Sequence, residues 1–121
     1  MLSPQKLEEY RAGWRTRRAA REAGVLQRRA EALEKALSAS RAIREKYGCR
    51  VIIFGSLAGT GKFGERSDID LALDGLSLEA NYWRLCSEVM DILHPFEADI
   101  VLLETLDPAI KRNILENGIE I

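Results

Sequence analysis

The apolar positions of this chain fall into two regimes, a helical one up to about residue 47 and a mixture of strand-like and helix-like runs after it. Leu7, Tyr10 and Trp14 are spaced by three and four, and after Gly24 a second stripe runs Leu26, Ala30, Leu33, Leu37, Ser40, Ile43, Tyr47. Both stripes lie in sequence dominated by Ala, Glu, Arg, Lys, Leu and Gln, the strong helix formers. Ser3-Pro4 followed by Glu8-Glu9 reads as a helix start: a capping residue, proline in the first turn, acids near the positive end of the dipole. Gly48 is the stop. Gly13 and Gly24 cost helix stability, so the pattern predicts one helix to about residue 22 and another from about 25 to 47, with a continuous helix as the alternative.

Arg50-Val51-Ile52-Ile53-Phe54 is an unbroken β-branched and aromatic run, which suits a strand buried on both faces. Residues 55–67 hold Gly55, Gly59, Gly61 and Gly64 among Ser56, Thr60, Lys62, Arg66 and Ser67, a long flexible loop of phosphate-friendly chemistry. Residues 68–73 read as a second strand ended by Asp74-Gly75, and Leu78 to Leu93 as an amphipathic helix stopped by Pro95. Ala98 to Leu103 is a third strand. Asp107-Pro108 starts a short helix that Gly118 closes, and Ile119-Glu120-Ile121 suits an edge strand. The predicted order is helices, then β-loop-β-α-β-α-β: an α/β (α+β) fold, with a small mixed sheet packed on helices. Residues 1–47 form an N-terminal helical extension and 48–121 the core, one domain overall.

At 121 residues, 46% apolar and 31% charged, the chain has an ordinary globular composition. A formal net charge of −1 advertises neither nucleic acid nor membrane. Residues 1–31 are nevertheless basic, with Lys6, Arg11, Arg15, Arg17, Arg18, Arg21, Arg28 and Arg29 against four Glu. Cys49 and Cys86 follow no metal-ligand spacing and read as buried, reduced thiols. No apolar signal core opens the chain and no run approaches the roughly 18 residues that span a bilayer, so a cytoplasmic location is expected.

The chemistry is expected around Asp68 and Asp70. Two apart on a strand, they share a face, and like charges so placed repel. A divalent cation relieves that repulsion, and magnesium takes one or two carboxylates plus substrate phosphates. If the first two strands are antiparallel, Gly55-Ser56 falls beside the start of the second. The helical crossover makes the second and third strands parallel, which brings Asp99 to the same edge. Three carboxylates, a hydroxyl and glycine-freed backbone amides suit nucleotidyl transfer, with two metal ions clamping an in-line displacement. Asp68 and Asp70 would bridge the metals, and Asp99 would hold the second metal and accept the acceptor's proton. Glu97, two positions earlier on the same face, is the rival for that role. Lys62 and Arg66 either touch phosphates or solvate the loop; His94 reads as structural or exposed. GTGKFG is not the GxxxxGK[ST] phosphate-loop signature.

FGSLAGTGKFGERSDIDLAL resembles the signature of the polymerase-β-like nucleotidyltransferase superfamily, a Gly-Ser followed by Asp-x-Asp. The tail ADIVLLETLDPAIKRNILENGIEI is similar to that of its minimal nucleotidyltransferase (MNT) group. The resemblance covers about residues 49–121 and implies that Gly55 and Ser56 grip the triphosphate. It also makes Asp68, Asp70 and Asp99 the catalytic, metal-binding carboxylates, with Mg²⁺ as cofactor and ATP or another NTP as substrate. Eleven residues separate Ser56 from Asp68, one more than in many members, and the extra residue falls near Gly59-Thr60-Gly61.

Many minimal members pair with a HEPN-domain protein, a helical bundle that is often an RNase toxin. The resemblance implies an antitoxin that neutralises such a toxin, in some cases by transferring AMP to a tyrosine. After about fifty residues of helix and seventy of core the chain holds no acceptor domain, so another chain is expected to supply the acceptor. The alternatives are transfer to RNA or a small molecule, or neutralisation by contact alone; a homo-oligomer also fits. Leu7, Tyr10 and Trp14 beside Arg15, Arg17, Arg18 and Arg21 are interface chemistry, so residues 1–22 are expected to dock a partner or a second copy. The competing reading folds that strip back on the domain.

Overall fold

The structure, a computed structural model, describes residues 3–59 and 63–121. Helix α1 (Pro4–Tyr47) runs 44 residues without interruption, about 66 Å at the usual helical rise. The Ser3 hydroxyl accepts from the Lys6 amide at 3.2 Å, and Gly48, at φ 69°, donates its amide to the Arg44 carbonyl at 3.0 Å. The break expected between residues 22 and 25 does not occur. Gly24 is exposed and a side chain there would meet nothing, so its cost is only the ~1 kcal/mol of lost propensity. Strong helix formers on either side outweigh that, helped by Arg18–Glu22 at 3.2 Å and Gln27–Glu31 at 3.3 Å.

After α1 come β1 (Arg50–Phe54), β2 (Ile69–Asp74), α2 (Tyr82–Leu93), β3 (Ala98–Leu102), α3 (Pro108–Asn117) and β4 (Ile119–Glu120), with short 3₁₀ turns at Gly55–Leu57 and Leu103–Thr105. The sheet order is β3-β2-β1-β4: β1 antiparallel to β2 and β4, β2 parallel to β3. Arg50 ties one end of the three linked strands together, pairing with Asp74 at 2.7 Å and with Glu120. This is the expected mixed α+β architecture. α2 starts at Tyr82 rather than Leu78, because the Asn81 side chain caps it from the Arg84 amide at 3.0 Å, and Leu78 is fully exposed.

Alternation along the strands divides the sheet into two faces. Val51, Ile53, Ile69, Leu71, Leu73 and Ile100 pack under α1 and α2, against Ala32, Ala36, Ala39 and Ile43 of the one and Leu85, Val89 and Leu93 of the other. The small residues of α1 let it lie close to the sheet. Lys46 and the Tyr47 hydroxyl meet Glu88 of α2 at 2.6 and 3.1 Å, which fixes the two helices together. Ile52, Ala72, Leu103 and Ile114 form the second, smaller core beneath α3. Cys49 is buried and Cys86 half-buried, both reduced. Among the described residues, no helix is long and apolar enough to cross a membrane.

Candidate active site

The parallel pairing of β2 with β3 sets Ile69 opposite Ala98 and Asp70 opposite Asp99. Asp68 immediately precedes β2, where the Ile69 amide donates to the Glu97 carbonyl at 2.9 Å. Since Ile69 and Leu71 face the larger core, Asp70 and Ala72 face the other way, toward the α3 side. Asp99 is thus the carboxylate in register with Asp70, and Glu97 falls outside the paired register. The antiparallel partner of Asp70 is Phe54, the residue before Gly55. The glycine turn therefore leaves β1 beside the two aspartates.

Asp70 is half-buried, and its carboxyl is pushed up to about 6, chiefly by burial and then by the charges of Asp99 and Asp68. Among the described residues, no Lys or Arg forms an ion pair with any of the three, whereas Asp74 at the far end of the same strand has Arg50. Gly55 stands directly against Asp70: its φ is +72°, and a Cβ there would lie 2.1 Å from the Asp70 Oδ2 atom. Only glycine fits both the backbone conformation and the space. Tyr82 closes the β3 edge, donating to the Ile100 carbonyl at 2.6 Å; burial, Cys86 and then Asp99 push its phenol up to about 12, so it stays neutral.

A divalent cation is chemically compatible with this set of carboxylates. Among the described residues no three His, Cys, Asp or Glu side chains form a ready-made metal cage. Magnesium does not require one, since it takes one or two carboxylates and completes its shell with water or phosphate oxygens. Asp70, partly desolvated beside two like charges, is a donor that such an ion would relieve. Two hollows adjoin the site. Gly55 borders a cleft of about 460 Å³ against Ile110, Asn113 and Asn117 of α3. Asp99 borders a groove of about 570 Å³ walled by Tyr82, Trp83 and Met90.

The loop between the strands is less free than its glycines imply. Leu57 and Phe63 are fully buried, and Phe63 meets Phe96 edge-on at 6.1 Å. Two side chains of α1 hold the loop. Arg29 donates to the carbonyls of Ser56, Leu57 and Gly59 at 3.1, 2.9 and 2.7 Å. Arg28 donates to those of Gly64 and Glu65 at 3.2 and 3.1 Å and lies over the Phe96 ring at 4.8 Å. Sequence reasoning missed both; the only hint was the excess of arginine before residue 31. Arg66 is exposed, and Lys62 lies outside the described residues. His94 is exposed at the end of α2.

Compared with proteins of curated function, the chain finds no match. The model of the family described as "Polymerase beta, Nucleotidyltransferase" matches residues 41–121, from the last turns of α1 through the sheet to the final residue. That span holds the glycine turn and all three aspartates. The chain belongs to the polymerase β nucleotidyltransferase family and is a nucleotidyltransferase.

Proposed function

We propose that the chain is a magnesium-dependent enzyme that moves AMP from ATP onto a hydroxyl of a partner protein. The observation that carries this reading is Asp70, half-buried beside Asp99 and Asp68 with no basic partner among the described residues and with Gly55 pressed against it. In this reading Asp68, Asp70 and Asp99 are the metal-binding and catalytic carboxylates, and Gly55 and Ser56 bind the triphosphate, with Lys62 as a further contact. Bound magnesium would neutralise charge on the triphosphate and the attacking oxygen. The acceptor oxygen attacks the α-phosphorus, the bond to the bridging oxygen of the β-phosphate breaks, and pyrophosphate leaves. The Asp99 carboxylate takes the acceptor's proton.

The reading of the partner as a HEPN-domain toxin, neutralised by this chain as an MNT antitoxin, rests on the resemblance of the motif and tail. Support for a protein partner comes from α1, where Tyr10, Trp14 and Leu26 are exposed. Trp14, Arg18, Arg21, Glu22, Val25 and Leu26 border a hollow of about 690 Å³ whose lining includes none of the three aspartates. Aromatic and arginine side chains of this kind dominate protein interfaces.

The test is incubation with ATP, magnesium and a candidate HEPN-domain partner, read by intact mass. The expected result is one added AMP per acceptor hydroxyl, lost in Asp99→Ala and largely kept in Glu97→Ala. Label appearing on RNA would move the acceptor to nucleic acid, and neutralisation without a mass change would make the chain a binding antitoxin. Deleting residues 1–22 should weaken the complex while ATP binding persists.

A further inference from the structure

Arg28 and Arg29 sit where α1 passes from its exposed to its buried part, just before Ala32, the first buried residue of the helix. Neither reaches the carboxylates. Instead they meet backbone carbonyls on the loop between β1 and β2, Arg29 near the Ser56 end and Arg28 near the Asp68 end. The Gly64 carbonyl that accepts from Arg28 also accepts from the Ser67 amide at 3.1 Å, in the turn that delivers Asp68 to β2. Arg28 further covers Phe96, two residues before β3 begins. One pair of neighbouring arginines therefore touches the residues just after Gly55, the turn before Asp68 and the segment just before β3.

We infer that Arg28 and Arg29 are positioning residues for nucleotide binding, with α1 acting as the outer frame of the triphosphate loop; this rests on the reading proposed above. A loop with glycines at 55, 59, 61 and 64 has many accessible conformations, and ordering it costs about 1–2 kcal/mol per residue. Each carbonyl that is held fixes a planar peptide unit and with it the direction of the attached amide. Arg29 fixes three such carbonyls with one rigid, planar guanidinium, which a lysine ammonium on a flexible stem cannot reproduce. Residues 56–59 are thereby ordered before the triphosphate arrives, and ordering them no longer weakens binding.

Calorimetric titration with ATP in the presence of magnesium, on full-length protein, separates this from a merely structural role. Arg29→Ala should bind ATP at least about tenfold more weakly, and Arg29→Lys, which keeps the charge, should recover only part of the loss. Manganese binding without nucleotide, read by its electron spin resonance signal, should be unchanged in Arg29→Ala, because Asp70 and Asp99 stand on β2 and β3 and Asp68 immediately precedes β2, away from the carbonyls that Arg29 holds. Arg28→Ala should weaken both, since Arg28 holds the turn before Asp68. Should Arg29→Ala fail to fold, Arg29→Lys carries the test. ATP affinity in folded Arg29→Ala equal to that of the parent overturns the inference, as does full recovery in Arg29→Lys, which would make the effect one of charge. A parent protein that binds no ATP would instead remove the underlying reading.

Discussion

The two faces of the sheet are built to different ends. Under α1 and α2, β1 and β2 present Val51, Ile53, Ile69, Leu71 and Leu73, all fully buried. On the α3 side the same strands carry Ile52 and Ala72 and, toward the glycine turn, Asp70, which stands beside Asp99 of β3 and two residues after Asp68. One face maximises apolar burial. The other gives up a stretch of that burial to hold like charges together, and Asp70 with its raised pKa registers the strain. A single residue of offset along β2 separates the two roles, which is why register matters more here than composition.

The largest effect should come from the apolar face. Leu71→Ala removes a fully buried side chain from the larger core and should cost about 2–5 kcal/mol in a denaturant melt. A cost below about 1 kcal/mol would mean that the two faces do not differ as described.

Its neighbour Asp70 should respond with the opposite sign. The folded state holds the Asp70 proton up to about pH 6, against 3.8 when unfolded. The contribution of Asp70 is therefore most favourable below about pH 4, falls as pH rises from 4 to 6, and stays low above that. The full difference is at most about 3 kcal/mol, less what solvent screening removes. Asp70→Asn should accordingly stabilise the metal-free protein at pH 7 and flatten the fall between pH 4 and 6. Magnesium should raise the stability of the parent but not of the variant. A variant less stable than its parent at pH 7 would show that the charge is not strained.

The smallest expected effect sharpens the boundary between the faces. Gly55→Ala meets both a left-handed backbone and the Asp70 carboxylate, and should cost about 1–2 kcal/mol from the backbone alone. In an Asp70→Ala background the carboxylate is gone and the nearest atom is Cβ at 3.4 Å, so the cost should fall. Equal costs in both backgrounds would contradict the close approach of Gly55 to Asp70.

Much of this was legible in the residues. The run from Arg50 to Phe54, the crossover helix and the Asp-x-Asp spacing lead to the mixed sheet and to Asp70 beside Asp99, because hydrophobic period and chain topology are local or nearly so. The start of α2 was misread by four residues, since the Asn81 cap outweighs Leu78, whose side chain is fully exposed. α1 was divided at Gly24 because propensity alone does not say whether a glycine faces solvent or a neighbour. Least legible was the loop. Phe63 is buried by Phe96, and Arg28 and Arg29 reach carbonyls some thirty residues away, contacts that no local pattern encodes.

In the proposed function Asp68, Asp70 and Asp99 bind a nucleotide through a divalent cation. Titrating ATP into the protein by calorimetry, with magnesium or with a chelator, and repeating it in Asp68→Asn/Asp70→Asn, tests that most directly. Binding should require magnesium and vanish in the double variant while its fold persists. Binding of ATP that is indifferent to magnesium, or that survives in the double variant, would contradict it.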